Sequence, residues 1–198
     1  MKSFIQTLSS ILFDENQKIK IITKAFKSSR FGIPVYSGAI LTPELSNLIL
    51  RAKEDNDLIA RKFLATLVID AIDQIPKFEP RVIPIPSRRS ANWERGFKHT
   101  NELLREVAKL RKIEIHDILR FTRNVEDQSK LNSAQRRANL NNAFSVSMKA
   151  KKLPTAFFLI DDLITSGATI QAAAKALQVR NIQLLGAISA CATSVFTE

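Results

Sequence analysis

The sequence is poor in the residues that build disulfides and zinc sites. Its 198 residues include one cysteine, Cys191, and two histidines. One cysteine cannot form an intrachain disulfide, and nothing here implies an oxidising compartment. The chain also lacks the ligands for a cysteine-rich zinc site, and we expect no protein-bound metal. Cys191 follows an apolar run and is expected to be an inert core thiol.

Long hydrophobic runs are missing as well. No apolar stretch is long enough to cross a bilayer, so we expect no membrane span. The N-terminal stretch from Phe4 to Phe13 contains polar residues and is followed by Asp14 and Glu15, without a small-residue cleavage site. We interpret it as an amphipathic helix and not as a signal peptide, which predicts a cytoplasmic protein.

Acidic residues are too few to balance the basic ones. The chain has 30 Lys and Arg against 19 Asp and Glu, a formal net charge of +11. Residues 81–112 and 120–152 hold the whole excess, with seventeen basic and five acidic residues between them. Concentrated positive charge attracts polyanions, either nucleic acid or a phosphorylated small molecule. A solubilising surface explains the same charge equally well.

The apolar pattern predicts an α/β fold behind a helical N-terminal segment. We divide the chain into a helical segment, residues 1–30, and one domain, residues 31–198. Within the domain the expected helices are 43–53, 60–75, 97–112 and 167–178, and the expected strands are 81–86, 117–121, 143–147, 156–160 and 183–190. Alternating helices and apolar strands imply a central, mostly parallel sheet flanked by helices.

The stretch from Phe157 to Thr169 carries the most chemical information. Apolar residues lead into two acids, and a short turn with hydroxyls and a glycine leads into a helix. Ligands bind beyond the carboxyl ends of parallel strands, and a helix N-terminus with free N–H groups suits a phosphate. Glycine lets the backbone approach that phosphate closely. The predicted phosphate-binding residues are Thr165, Ser166, Gly167, Ala168 and Thr169.

The two acids, Asp161 and Asp162, need a different partner. Carboxylates repel phosphate but accept hydrogen bonds well from the vicinal hydroxyls of a ribose. The pattern therefore predicts a ligand in which a phosphate flanks a sugar. The plain alternative is an ordinary strand, turn and helix in which Asp162 and Thr165 only cap.

This stretch resembles the fingerprint of the phosphoribosyltransferase family at all thirteen of its positions. Three further patterns are similar to the ComF group, the competence-associated branch of that family. They are Tyr36-Ser37-Gly38 with the helix to Lys53; Val82 to Arg89 followed by Trp93-Glu94-Arg95-Gly96-Phe97; and Gln128-x-x-Leu131 followed by Arg136-Arg137-x-Asn139 and Ala143-Phe144. The resemblance covers about residues 33–190 and implies the type I phosphoribosyltransferase fold.

The resemblance also implies a ligand, 5-phosphoribosyl-1-pyrophosphate. In the family, pyrophosphate leaves C1 of the ribose with the help of Mg²⁺, which arrives mainly through the ligand's own oxygens. Asp161 and Asp162 would act on the ribose, and Arg88 and Arg89 would face the pyrophosphate, since planar guanidinium groups suit that role. For the two arginines, a solvated charged turn is the alternative.

A second basic segment, residues 122–141, is too long for an ordinary connection. We expect it to be mobile without ligand and to close over the site, with Arg123, Lys130, Arg136 and Arg137 available to the ligand. A simply disordered basic loop is the alternative.

The chain departs from the ComF group in several places. The group usually opens with a four-cysteine zinc module, where this chain has a cysteine-free segment. Lys98-His99 stands where the group often has Asn-Gln, and Glu54-Asp55 replaces a glycine that often follows the first helix of the domain. These changes bear on partners and on the acceptor pocket more than on ligand binding.

Neither histidine is predicted to be a general base. The helix 97–112 is expected to turn Leu104, Val107 and Ala108 inward, so His99 could face solvent. His116 lies beside an expected strand and is interpreted as structural.

Three functions remain open on the sequence. The first is transfer of phosphoribose to an acceptor that no residue identifies. The second is a non-catalytic protein that senses phosphoribosyl pyrophosphate, or that handles single-stranded DNA with competence proteins during natural transformation. The third, a phosphatase with Asp161 as nucleophile, lacks the usual Asp-x-Asp spacing.

Overall fold

A six-stranded sheet organises the fold. The computed structural model describes residues 26–30, 32–75, 80–87, 99–126, 131–147 and 156–193. Their strands are β1 (Phe26–Arg30), β2 (Ile33–Ile40), β3 (Arg81–Pro84), β4 (Glu114–Ile115), β5 (Leu119–Phe121), β6 (Phe144–Val146), β7 (Ala156–Ile164) and β8 (Gln183–Ala192). Their helices are α1 (Pro43–Glu54), α2 (Leu58–Ile72), α3 (His99–Leu110), α4 (Ser133–Asn139) and α5 (Ala168–Gln178). In these residues no helix combines the length and apolar character that a bilayer crossing needs.

The sheet has the strand order β1-β2-β8-β7-β3-β4. β1 pairs antiparallel with β2, and the other neighbours are parallel. The carboxyl ends of the parallel strands therefore meet at one edge of the sheet. β5 and β6 form a separate antiparallel pair. The predicted fold class, a central and mostly parallel sheet flanked by helices, is confirmed.

One face of the sheet is covered by α1, α2 and α3, which we call the helical layer. α2 is buried along most of its length and on nearly all sides, as expected for a core helix. It crosses β2 at Gly38, where an added Cβ would stand 2.0 Å from the carbonyl oxygen of Leu67. Only a glycine lets the two backbones come this close.

The opposite face is covered by α4, α5 and the β5–β6 pair, which we call the turn layer. Phe157 and Leu159 of β7 pack there against Phe144 of β6 and Leu177 of α5. α5 begins directly after the turn that follows β7. Its N-terminus therefore lies at the carboxyl edge of the sheet.

The prediction of a helical segment at residues 1–30 is wrong for Phe26–Arg30, the part of it that the structure describes. Residues 1–25 lie outside the described residues, but Phe26–Arg30 form a strand. Gly32, with a φ of 72°, permits the turn that returns the chain into β2. The polar, basic stretch pairs as an edge strand because the hairpin supplies its hydrogen bonds. The division of the chain at residue 30 stays a prediction.

Two other boundaries differ from the sequence prediction. β7 continues past Ile160 to Ile164, so Asp161 and Asp162 belong to the strand instead of following it. The segment 122–141 is not one loop, because it contains α4. Asn132 and Gln135 cap this helix reciprocally, each backbone N–H donating to the other side chain at 2.9 Å.

Candidate functional site

The turn between β7 and α5 has the features of an anion site. Gly167 precedes the helix with a φ of 72°, a conformation that costs other residues roughly 1–2 kcal/mol. The Ser166 hydroxyl accepts a hydrogen bond from the N–H of Ala168 at 3.4 Å. The first N–H groups of α5 have no partner within the helix and carry the positive end of its dipole. The turn can therefore bind an anion.

All five sequence-predicted phosphate residues lie together here. Thr165, Ser166 and Gly167 form the turn, and Ala168 and Thr169 open the helix. Thr165, Ser166 and Thr169 are partly exposed, whereas Gly167 and Ala168 are buried. The hydroxyl-bearing residues are thus the ones with solvent-accessible surface.

Asp162 is buried and surrounded by groups of the helical layer. One oxygen, Oδ1, accepts a hydrogen bond from the N–H of Leu163 at 2.9 Å. The other, Oδ2, lies 3.2 Å from Nε2 of His99 and 3.8 Å from Nζ of Lys53. Burial opposes ionisation of this carboxyl, but Lys53 and then His99 outweigh it and hold its pKa below the usual range. We conclude that Asp162 is an internal carboxylate with a local cation.

Asp161 has a different environment. Its side chain is partly exposed, and its Oδ1 accepts a hydrogen bond from the N–H of Asp162 at 3.0 Å. Burial, and then the adjacent Asp162 carboxylate, raise the pKa of Asp161 well above its ordinary value. The pKa values of the two neighbouring acids are therefore shifted in opposite directions, and Asp161 has the more accessible side chain.

Two buried serines lie on the strands next to Asp161. Ser189 of β8 is in register with Asp161, and Ser37 of β2 is in register with Ser189. The Ser189 hydroxyl donates to the Ser37 hydroxyl at 3.2 Å, which donates to the carbonyl oxygen of Ala39 at 3.2 Å. These hydroxyls satisfy each other, so we assign them a structural role.

The structure separates Arg136 from Arg137. Nη1 of Arg136 donates a hydrogen bond to Oγ1 of Thr165 at 3.1 Å, which brings α4 to the predicted phosphate turn. Arg137 instead lines a groove of about 220 Å³ between α4, β6 and the outer side of α5, where Lys175 is the second cation. Adjacent arginines on a helix point in different directions, and Arg136 is the one that donates a hydrogen bond to Thr165.

The described ends of segment 122–141 are tied to each other. Nη2 of Arg123 donates to the carbonyl oxygens of Asn139 and Asn141 at 2.9 and 3.1 Å. The Asn139 side chain pairs with the backbone N–H and carbonyl of Glu126, both at 3.1 Å. The hydroxyl of Thr122 donates to the carbonyl oxygen of Asn142 at 2.9 Å. Any closing movement would therefore involve less of this segment than the sequence suggested.

Three predicted site residues, Arg88, Arg89 and Lys130, lie outside the described residues. Ser87, the last described residue before the two arginines, is partly exposed at the end of the β3 segment.

Two residues that the sequence marked as structural have the expected surroundings. Cys191 is buried, and burial followed by Asp162 raises the pKa of its thiol to about 12. His116 lies 2.7 Å from the Glu114 carboxylate and packs edge-on against the Phe157 ring, with centroids 4.9 Å apart.

The described cations of residues 99–112 do not gather at the candidate site. Arg105 and Lys109 pair with Glu102 and Glu106 on their own helix. Arg111, after the end of α3, pairs with Asp73 at 3.3 Å. α3 begins at His99, beside Asp162, and its twelve residues carry the chain about 16 Å away from the carboxyl edge. Acidic partners thus neutralise part of the positive charge of residues 99–112, and the end of α3 carries the rest away from the candidate site.

His99 is the residue that the sequence analysis missed. It is 1% exposed, in contact with Asp162, and so cannot face solvent as expected. His99, Leu103 and Val107 recur at i, i+4 and i+8 and are all buried, whereas Ala108 is exposed. The inward face of the helix was therefore rotated in the prediction, and this spacing was the available signal.

Acids at the carboxyl end of a central parallel strand, followed by a hydroxyl-rich turn and a helix, are what the phosphoribosyltransferase fingerprint predicts. The chain has the central, mostly parallel sheet flanked by helices that the resemblance implies, with the fingerprint residues at the carboxyl edge of β7. It belongs to the ComF family. It is 30% identical over 152 residues to Competence protein F of Haemophilus influenzae, a match that covers 72% of this chain and 66% of that protein.

Two other comparisons complete this result. No protein-family model matches the sequence. Adenine phosphoribosyltransferase from Saccharomyces cerevisiae, solved with an imino-altritol bisphosphate and adenine, aligns with 100% of this chain and 92% of its own, at 12% identity and a TM-score of 0.43.

Proposed function

We propose that this protein binds 5-phosphoribosyl-1-pyrophosphate, with Mg²⁺, at the carboxyl edge of the sheet. One observation carries the proposal: a partly exposed acid, Asp161, lies directly before a hydroxyl-rich turn at a helix N-terminus. A ribose 5-phosphate needs both features next to each other, since its hydroxyls suit a carboxyl group and its phosphate suits the turn.

Different residues of the site would bind different parts of the ligand. Thr165 to Thr169 would hold the 5′-phosphate, and Asp161 would hold the ribose hydroxyls. Asp162 lies behind Asp161 and is already engaged by Lys53, so we assign it the role of fixing the site. Arg136 donates to Thr165 and is close enough to the turn to add a charged contact to the phosphate.

The pyrophosphate end of the ligand remains a prediction from sequence. Arg88 and Arg89 follow β3, the strand next to β7, and would face the leaving group. The sequence also predicted contacts from Lys130 and Arg137. Lys130 stays a prediction, and Arg137 is left out of the proposal because it lines the groove beside Lys175. No three His, Cys, Asp or Glu side chains of the described residues are placed to hold a metal ion. A Mg²⁺ ion held mainly by ligand oxygens needs no such cluster and would neutralise charge on the pyrophosphate.

Transfer of the phosphoribosyl group is the reaction that this site would support. The bond between C1 and the pyrophosphate oxygen breaks, and the electron pair leaves with pyrophosphate. An acceptor nucleophile then bonds to C1. The protein would contribute position and charge neutralisation, through the phosphate turn at one end of the ligand and the arginines at the other. The acceptor is not part of the proposal.

Calorimetry with phosphoribosyl pyrophosphate and Mg²⁺ tests the binding. We expect saturable binding to the wild type and none to Asp161→Ala. Asp162 is kept in this variant because its removal would leave the Lys53 ammonium without its counter-charge. Asp73→Ala, which removes an acid at the far end of the helical layer, is the matched control and should bind normally. If Asp161→Ala and the wild type bind phosphoribosyl pyrophosphate with equal affinity, the assignment of Asp161 to the ligand site is wrong. A pyrophosphate-release assay with candidate acceptors then tests turnover.

A second function, handling of single-stranded DNA, is suggested by the relative's name and by the net charge of +11. The sequence predicts that DNA would compete with the ligand for Arg88, Arg89, Arg136 and Arg137 around the phosphate turn. An anisotropy titration across salt concentrations, with and without phosphoribosyl pyrophosphate and Mg²⁺, tests this competition. Tight DNA binding that ignores saturating ligand would contradict a shared site, and no binding at physiological salt would leave the small-molecule function alone.

A further inference from the structure

We propose that His99 is a positioning residue, which fixes the carboxylate of Asp162 and through it the ligand-facing carboxyl of Asp161. The inference rests on the proposed function, because the consequence of this positioning is ligand affinity.

The contact between His99 and Asp162 joins two buried residues from different elements. His99 is 1% exposed and opens α3, and Asp162 is 4% exposed near the end of β7. Nε2 of the imidazole lies 3.2 Å from Oδ2 of the carboxylate. Although the distance is short, the contact lacks the full geometry of a hydrogen bond, and Nδ1, Nε2 and Oδ2 make no well-formed hydrogen bond among the described residues.

Buried polar atoms without a hydrogen bond are costly and call for an explanation. An apolar side chain at position 99 would fill the same core space beside Leu103 without that cost. Contacts that serve ligand binding are often long or poorly aligned in the free protein and tighten when the ligand is bound. A positioning role explains both the burial of the imidazole and its imperfect geometry.

A continuous set of contacts leads from His99 to the ligand-facing acid. His99 and Lys53 face Oδ2 of Asp162, while the N–H of Leu163 donates to Oδ1, so the carboxylate is held from both sides. The N–H of Asp162 donates to Oδ1 of Asp161 at 3.0 Å. A shift of Asp162 therefore moves the hydrogen-bond donor that orients Asp161.

The test compares two replacements of His99 with a replacement of its partner. His99→Gln keeps a side-chain donor for Asp162, and His99→Leu removes it. We expect His99→Leu to weaken phosphoribosyl pyrophosphate binding about tenfold, the size expected for one hydrogen bond to a charged group. His99→Gln should stay within about threefold of the wild type. In an Asp162→Asn background, His99→Leu should add less than about twofold, because the partner is already gone.

His116→Gln is the matched control, since it replaces the chain's other histidine, which contacts Glu114 and lies outside the candidate site. Its affinity should equal that of the wild type. Circular dichroism and thermal melting of every variant identify loss of fold. If His99→Leu does not fold, His99→Ala, which also removes the donor, takes its place in the wild-type and Asp162→Asn backgrounds.

NMR of the ring nitrogens supplies a readout that a purely structural histidine would not move. With two histidines in the chain, the spectrum holds two pairs of imidazole nitrogen signals. Asp162→Asn and saturating ligand should each shift the His99 signals and leave those of His116 in place. His99 signals that ignore Asp162→Asn, or losses of affinity that multiply in the double variant, would overturn the positioning role. If the wild-type protein binds no ligand, the proposed function is wrong. The response of the His99 signals to Asp162→Asn then still shows whether the two side chains are coupled.

Discussion

The helical layer and the turn layer cover the same sheet but are built differently. The helical layer consists of helices of 12, 15 and 12 residues that share one continuous core. The turn layer combines the eleven-residue α5 with a seven-residue helix and two three-residue strands, and its Asn142 and Gly167 have positive φ. Regular packing fixes the sheet from one side, while irregular backbone on the other side presents N–H groups and hydroxyls to a ligand.

The two layers meet at β7. Asp162 is held by Lys53 and His99, which belong to the helical layer. Thr165 is held by Arg136, which belongs to the turn layer. Changes in the packed core of the helical layer should therefore cost stability, and changes in the turn layer should cost affinity. His99 is the exception in the helical layer, because it contacts Asp162. The following predictions test that division, beginning with the largest expected effect.

Gly38→Ala should be the most destabilising of these substitutions. The new Cβ would meet the Leu67 carbonyl oxygen at 2.0 Å, and both groups belong to backbone that cannot turn away. We expect a loss of about 3 kcal/mol in the free energy of unfolding, at the upper end for overpacked cores. For a domain of this size that corresponds to a fall of roughly 6–12 °C in Tm.

Gly32→Ala is the control for Gly38→Ala. Nothing lies within 4 Å of a Cβ there, although its φ of 72° is strained for alanine. A cost of about 1 kcal/mol is expected from that strain alone. Thermal melting of both proteins decides: equal losses at the two glycines would show that backbone conformation, and not the close approach of α2, makes Gly38 necessary.

The helical layer was also the easier layer to predict. Apolar residues at helical spacing predicted α1 at 43–53, and the structure has Pro43–Glu54. Such spacing reports burial directly, because one side of the helix faces the core. α4 was missed because its residues are polar and its packing is with α5, so only its capping pair of Asn132 and Gln135 marks it. The partner of His99 was not predictable, since Asp162 lies far along the chain and only the fold joins them.

Gly167→Val should have the largest effect on ligand binding. A branched side chain in the phosphate turn blocks the close approach of the anion, and about a hundredfold loss of affinity is expected from several lost contacts to a charged group. Valine is also strained at a φ of 72°. Gly167→Asn separates the two causes, because asparagine tolerates this conformation. Calorimetry should find weak binding in both variants, with a normal Tm only for asparagine. Normal affinity of Gly167→Asn would argue against a phosphate in this turn.

Arg136 and Arg137 should differ in their effect on affinity. Arg136→Gln removes a charge beside Thr165, and we expect about a tenfold loss, the size of one charge-assisted contact. Arg137→Gln alters the groove on the outer side of α5 and should change affinity less than about twofold. The pair is its own control, since both residues lie on α4. Equal losses would mean that α4 turns on ligand binding, so that the sequence-based assignment of both arginines is right.

The smallest expected effect is a gain of stability, from Asp161→Asn. Burial and the Asp162 carboxylate raise the pKa of Asp161, so the folded protein binds a proton that the unfolded chain releases above its ordinary value of 3.8. Wherever the native state binds more protons, stability falls as the pH rises. The destabilisation by Asp161 therefore grows as the pH rises from 3.8 to the raised pKa of the folded state. Above that pKa it stays at its full size. Asparagine imitates the neutral acid and removes this cost.

We expect Asp161→Asn to raise Tm at neutral pH by roughly 2–4 °C, or about 1 kcal/mol for a domain of this size. The gain should shrink as the pH falls towards 3.8 and vanish below it, where the wild-type acid is protonated in both states. Asp162→Asn should do the opposite, because the pKa of Asp162 is lowered and its stabilising effect is lost only as the pH falls below 3.8. Melting curves of both variants from pH 4 to pH 8 measure this contrast. If Asp161→Asn is less stable than the wild type at neutral pH, the ionised form of Asp161 stabilises the folded protein. The pKa of Asp161 would then not be raised by folding.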